Sequence, residues 1–264
     1  MLEEHSALFV DSHCHLDCIK LDEFDNDYDV LIQRCFDAGV EHMLCVSIDM
    51  QKYPHMLQQA ERYPQISVSA GVHPMAELAE DVDGETLKAI AANDKVVAIG
   101  ETGLDYYYNK DEREAQRSRF RTHIQSAVDL GKPVIVHTRD AGQDTLAILR
   151  EEQASRCGGV IHCFTETMDF AEKALELDFM ISFSGIITFQ NAEALREVAR
   201  QVPDSNLLIE TDSPYLSPAP NRGKQNYPAY VIHVAQKLAE IRNTSVEHIA
   251  EVSKANFYRV FNPC

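Results

Sequence analysis

Eight short apolar runs recur along the chain: LFVDSH, HMLCVSI, ISVSAGV, VVAIGE, PVIVHT, GGVIHCF, FMISFSG and NLLIET. Each is nearly continuous in Val, Ile, Leu or Phe, the pattern of a strand buried on both faces. The stretches between them carry a helical period instead. Phe120, Ile124, Ala127 and Val128 mark one face of the segment that begins at Asp111, and Leu146 and Leu149 follow Gly142. In LGKP, Gly131 and Pro133 end one helix and open the next strand. Strands alternating with helices predict an α/β protein with a parallel sheet, and eight such units predict a closed (β/α)8 TIM barrel. A doubly wound sheet fits less well, because neither GVHPMAEL nor GETGLD has the G-x-G-x-x-G turn of a dinucleotide site. No linker or charge block divides the sequence, so residues 1–264 read as one domain. The longest irregular connection, YLSPAPNRGKQNYP, follows the eighth run, where barrel enzymes place substrate loops.

Polar residues gather at the C-terminal ends of these runs. In FVDSHCHLD, a strand over residues 8–15 sends Asp11, His13 and His15 to one face and Cys14 to the other. His73 follows in GVHP, Glu101 in IGETGLD, His137 in VIVHTRD, His162 in GVIHCFT and Asp212 in LLIETDSP. A barrel opens all those ends onto one mouth, so residues scattered from 13 to 212 would converge. Taken singly, each has an ordinary structural explanation: a buried histidine bonded to a carbonyl, a helix cap at Glu101, an Asx turn at Asp212. Together they form a donor set whose burial metal coordination would offset. Even without His73, four imidazoles and two carboxylates exceed what one catalytic ion uses, which predicts two divalent cations with Glu101 as the natural bridge. Nitrogen and oxygen donors suit Zn, Mn, Co or Ni, while Mg prefers oxygen, and the choice among these five stays open.

Composition narrows the setting. Hydrophobic residues make up 45% and charged residues 25%, as in soluble globular chains, and no apolar run approaches a membrane span. The acidic start MLEEHSALFV lacks the cationic region of a signal peptide, and seven irregularly spaced cysteines (14, 18, 35, 45, 157, 163, 264) predict free thiols in the cytoplasm. No membrane or stable protein partner is implied, and a monomer is expected. The net charge of −18 argues against a protein that coats duplex DNA, so any nucleic-acid chemistry must rest on a local site where metal ions supply the positive charge.

The H-x-H after the first run, GVHP, GETGLDYYY, PVIVHTRDA, CGGVIHCFT, FSGIITF and ETDSPYL together resemble the TatD family of metal-dependent hydrolases and DNases, in particular its YcfH-type bacterial members. The resemblance runs from Val10 to about Phe261. It implies a TIM barrel of the amidohydrolase type and a site with two divalent metals. By position it implies that His13, His15 and Asp212 hold one metal, that His137 and His162 hold the other, that Glu101 bridges, and that His73 faces the substrate. Family members with characterised activity are DNases, often trimming single strands from the 3′ end, whereas several bacterial members are known only as metal-dependent hydrolases.

The expected function is therefore a deoxyribonuclease, a 3′–5′ exonuclease acting on single-stranded DNA, with Asp212 taking a proton from the attacking water and His73 and Arg139 taking up developing charge. Hydrolysis of a small amide, lactone or phosphoester by the same residues is the alternative, and a metal-binding module without turnover a more distant one. Arg139 is read as a phosphate ligand or as the partner of Asp140 or Glu101. Arg222 and Lys224 are read as a phosphate-facing pair or as solvated charge. Tyr106, Tyr107 and Tyr108 could stack on bases, with at least one of them in the core. Asp11 and Glu210 could orient His15 or a metal-bound water, or pair with basic side chains. DEFDNDYD reads as a solvated helix start, since it lacks the Gly and terminal Glu of a calcium loop.

Overall fold

A computed structural model of the protein describes residues 7–77, 79 and 81–263; the chain's start through Ser6 and Cys264 lie outside the described residues. All eight predicted strands are present: β1 (Phe9–Cys14), β2 (Val40–Cys45), β3 (Ile66–Ala70), β4 (Val96–Asp105), β5 (Val134–Arg139), β6 (Gly159–Ile161), β7 (Phe179–Phe183) and β8 (Leu207–Ile209). They pair in sequence order, all parallel, in one eight-stranded sheet. Helices α1 (Tyr28–Asp37), α2 (Tyr53–Ala60), α3 (Gly84–Ala91), α4 (Arg113–Leu130), α5 (Gly142–Glu151), α6 (Met168–Leu175), α7 (Glu193–Gln201) and α8 (Val231–Arg242) follow the strands one by one, and α9 (Val246–Phe261) comes last. The fold is the (β/α)8 barrel. Among the described residues no helix is long and apolar enough to cross a membrane.

Local chemistry sets the helix ends. Gly131 ends α4 in the left-handed conformation with φ of +64°, as LGKP predicts. Asp27 caps α1 by accepting from the Asp29 backbone N–H, so DEFDNDYD is the helix start it was read as. The sequence did not disclose α9. Phe257 and Phe261 of that helix join Val10, Leu44, Val97, Ile135, Val160, Met180 and Leu208 in one buried cluster fed by seven of the eight strands, which fills the barrel interior away from the polar mouth.

Two departures from the strand pattern shape the mouth. Asp11 pairs with Met43 and Cys14 with Cys45, so β1 carries one residue more than β2 over that interval, a bulge. The alternation is reset there, and the Asp11 carboxylate, although it accepts from the His13 backbone N–H at 3.3 Å, is not within bonding distance of either ring. Its carboxylate also accepts from the backbone N–H of Thr211 at 2.9 Å and from the Thr211 hydroxyl. Burial pushes the Asp11 carboxyl up to about 8 even against those hydrogen bonds. Asp11 thus ties β1 to β8, where strand pairing is reduced to one bridge between Cys14 and Ser213. His15 N–H to the Ser213 carbonyl at 2.7 Å and Asp212 N–H to the His13 carbonyl at 2.9 Å complete that seam.

The second departure is β4, which runs past Glu101 to Asp105. Gly103 makes this possible: its φ is +136°, and a Cβ there would lie 2.0 Å from the His137 carbonyl oxygen.

Two buried histidines lie outside the mouth's donor set. His42 bonds Ser67 Oγ at 2.9 Å near Phe257, and the His123 Nε2 accepts from the Val72 N–H at 3.0 Å. Burial lowers each to about 4 from 6.5. Between those values the unfolded chain binds protons that the folded one refuses, so this stability is present above pH 6.5 and is lost as pH falls toward 4. Going from pH 7.5 to 5, His42→Gln should lose about 2 kcal/mol less stability than the wild type in urea unfolding. Equal losses would show that His42 does not contribute to the acid sensitivity.

Candidate metal centre

The residues singled out at the strand ends do converge, around Glu101. Its backbone N–H donates to the Ser47 carbonyl at 2.9 Å, and its side chain is almost wholly buried. One carboxylate oxygen, Oε2, lies 3.3 Å from His13 Nε2 and 3.8 Å from His15 Nε2. The other, Oε1, lies 2.8 Å from His162 Nε2, 3.1 Å from His137 Nδ1 and 3.4 Å from His73 Nε2. Asp212 Oδ1 closes the first group at 3.3 Å from His15 Nε2 and 3.7 Å from His13 Nε2. His13, His15 and Asp212 form one triad able to hold a cation, and Glu101 joins His13 and His162 in a second and His73 and His137 in a third.

The arrangement has the dimensions of coordination edges. Two nitrogens each about 2.0–2.1 Å from a tetrahedral ion stand roughly 3.3 Å apart. His13 Nε2 to His15 Nε2 is 3.3 Å, and His162 Nε2 to His137 Nδ1 is 3.4 Å.

The far nitrogens of the rings sort the histidines by role. His15 Nδ1 meets the Val46 carbonyl at 2.9 Å, an atom that only accepts, so the hydrogen sits on Nδ1 and the Nε2 lone pair is free. The His162 Nδ1 faces Glu210 Oε1 at 3.3 Å and the His137 Nε2 faces Asp105 Oδ2 at 3.2 Å, with the same consequence. His73 is opposite. Its Nδ1 accepts from the Met75 backbone N–H at 3.1 Å, which places the hydrogen of the neutral ring on Nε2 and turns that atom into a donor.

The titration of the rings follows their carboxylate neighbours. Burial pulls every imidazole here toward neutrality. For His15 the Asp212 hydrogen bond and the charges of Asp212 and Glu101 reverse it, to about 9, and His137 and His162 are raised by their facing carboxylates. His13 and His73 stay lowered. Burial also works against ionising Glu101 and Asp212, yet the surrounding imidazoles hold both below the usual carboxylate range. Protons and cations therefore compete for the same lone pairs.

Several contributors escaped the sequence reading. Asp105 shares a strand face with Glu101 and Gly103, visible once β4 is carried through TGLD. Glu210 orients His162 rather than His15, and its Oε1 also accepts from the Cys163 N–H at 2.7 Å. Arg119 and His123, one helical turn apart on α4, hold the GVHP loop. The almost buried Arg119 guanidinium donates to the carbonyls of His73 at 2.8 Å, Pro74 at 3.1 Å and Ala76 at 3.0 Å, and pairs with Asp81. Their signal was polar side chains at helical spacing within an apolar stripe that includes Phe120 and Ile124.

The outer residues fall differently. Arg139 pairs with neither Asp140 nor Glu101; its guanidinium lies 4.2 Å from the centre of the Tyr107 ring and 4.6 Å from that of Tyr108. Tyr106 is the core member of its trio. Arg222 lies over the Phe189 ring at 3.7 Å, and neither it nor Lys224 borders the cavity that holds the cluster. That cavity, of about 790 Å³, is lined by His73, Glu101, His137, His162 and Asp212 among others.

A family model described as TatD related DNase matches residues 10–262. The chain belongs to the TatD family. It is 49% identical over 253 residues to the metal-dependent hydrolase YcfH of Escherichia coli (strain K12), covering 96% of this chain and 95% of that protein. It is 35% identical over 247 residues to the 3′-5′ ssDNA/RNA exonuclease TatD of Citrobacter rodentium (strain ICC168), covering 90% of this chain and 93% of that one. The crystal structure of YjjV, a TatD homologue from Escherichia coli K12, superposes with a TM-score of 0.88 at 30% identity, over 96% of this chain and 98% of that one. The protein is thus a TatD-family metal-dependent hydrolase.

Because Arg119 holds the loop that presents His73 and touches none of the other donors, Arg119→Lys should lower turnover by about tenfold or more while metal content, read by elemental analysis, stays at the wild-type level. A parallel loss of metal would place Arg119 in the support of the cluster itself.

Proposed function

We propose that this TatD-family hydrolase is a deoxyribonuclease that removes nucleotides from the 3′ end of single-stranded DNA at a centre of two divalent cations. The observation that carries the reading is the division of Glu101, whose two oxygens face separate groups of donors. His13, His15 and Asp212 would hold one cation and His137 and His162 the other, with Glu101 shared. The nitrogen-rich set suits Zn, Mn, Co or Ni, with Mg also able to serve. Such ions lower the pKa of water and neutralise the charge of a phosphodiester.

The chain's own groups complete the chemistry. Asp212, ionised and partly open to the cavity, is placed to accept the proton of the attacking water. Its φ of +55°, unusual for a residue with a Cβ, sets the carboxylate at the seam of β1 and β8. His73 Nε2–H is directed at the same space and would donate to a phosphate oxygen as charge builds there. A second reading, hydrolysis of a small amide, lactone or phosphoester, is favoured by the net charge of −18, which repels a polyanion.

Purified protein loaded with manganese or magnesium and given a labelled single-stranded oligonucleotide should shorten it stepwise from the 3′ end. Asp212→Asn should reduce that rate about a hundredfold or more, with the fold intact by circular dichroism. Intact oligonucleotide would move the search to small esters and amides. Glu101→Gln should lower metal content; full occupancy would remove Glu101 from its shared position.

A further inference from the structure

Among the described residues, six large apolar or aromatic side chains are exposed: Leu8, Met75, Tyr107, Tyr108, Tyr215 and Tyr258. Four of the six stand on the loops after β3, β4 and β8, and Met75, Tyr108 and Tyr215 line the cavity of the candidate centre. Exposed rings gathered at one opening, while the rest of the surface is largely free of them, mark a contact surface.

The rings are held in place. Asp105 Oδ1 accepts from the backbone N–H groups of Tyr107 at 2.9 Å and Tyr108 at 2.8 Å, while its Oδ2 faces His137. One carboxylate thus fixes both a candidate metal ligand and the turn that displays the two rings. Tyr106 anchors the same turn from below, its hydroxyl donating to Asp144 at 2.7 Å. Arg139 lies against both exposed rings, which stand perpendicular to each other at 4.8 Å. Tyr215 stands near His15, ring centres 6.1 Å apart, and its carbonyl is tied down by the buried Asn226 at 2.6 Å.

Charge decides what these rings are for. Among the described residues Arg139 is the one arginine or lysine lining the cavity, and the chain carries −18 overall. Phosphate neutralisation by side chains therefore supplies little affinity for a nucleic acid. Stacking needs no net charge, and it reaches only bases whose faces are free. We infer that Tyr108, with Tyr107 and Arg139 behind it, and Tyr215 form a nucleobase subsite that grips unpaired bases beside the metal centre. This rests on the single-stranded DNA reading above and adds the device by which an acidic protein selects an unpaired end.

The test compares oligonucleotides ending at 3′ in a normal nucleotide or in an abasic tetrahydrofuran residue, with magnesium-loaded protein. The abasic end should lower kcat/KM by about five- to a hundredfold. Tyr108→Leu combined with Tyr215→Leu should shrink that ratio to about two. KM should depend weakly on salt, with a logarithmic slope near the 0.7 of a single phosphate contact. Equal rates on both ends, an undiminished ratio in the double variant, or a salt slope of several contacts would each overturn the subsite. Binding is read separately, by fluorescence quenching of a 3′-terminal 2-aminopurine in a hydrolysis-resistant phosphorothioate oligonucleotide. Quenching that the double variant loses, without cutting of the ordinary strand, keeps the subsite and rejects the nuclease reading. Cutting that ignores the terminal base does the reverse.

Discussion

A carboxylate buried at the centre of a barrel mouth is the constraint from which the site follows. Glu101 is almost wholly removed from water, and an uncompensated charge there would cost several kcal/mol. Compensation comes from five imidazoles delivered by β1, β5 and the loops that follow β1, β3 and β6. Three of those rings, His15, His137 and His162, turn their far nitrogens to acceptors: the Val46 carbonyl, Asp105 and Glu210. Backbone N–H groups of Tyr107 and Tyr108 donate to Asp105, and that of Cys163 donates to one oxygen of Glu210. The chain of partners runs from carboxylate to imidazole to carboxylate to main-chain amide, but it is not closed everywhere, since His13 Nδ1 and Glu210 Oε2 are buried without a hydrogen-bond partner.

The same barrel separates stability from chemistry. The interior away from the mouth is apolar and filled by Phe257 and Phe261 from α9. The mouth is polar, strained at Asp212, and propped by an arginine that binds three carbonyls of one loop. His73 shows how fine the difference between neighbours is. It lies 3.4 Å from Glu101, nearer than His15 at 3.8 Å, yet a backbone N–H against its Nδ1 makes it a donor where His15 offers a lone pair.

Much of this was legible beforehand. The eight strands follow from apolar runs of the right length, and the convergence of residues 13 to 212 follows from the barrel, because parallel strands must open their polar ends on one face. What stayed hidden depends on single-residue events or on distant partners. The bulge in β1 shifts Asp11 to the seam, and no local pattern announces one extra residue. Arg139 has Asp140 beside it in sequence but took the tyrosine faces, a choice set by where the β4 turn lands. Arg222 lies over Phe189 because of how its long connection is laid across the neighbouring loop. The terminal helix α9 has an ordinary amphipathic sequence, and its place against the barrel interior is a tertiary fact.

The seam between the first and last strands also gives the site a history. Asp11 and Thr211, which join there, are 200 positions apart, whereas Glu101 and His137 are separated by 36 and His137 and His162 by 25. The donors on β4 through the loop after β6 are close together along the chain, while His13 and His15 meet Asp212 only across the seam, about 200 positions later. One half of the centre is thus a product of neighbouring strands and the other a product of ring closure. The full donor set therefore requires a closed barrel: a chain that ends before β8 would lack Asp212, the carboxylate beside His13 and His15.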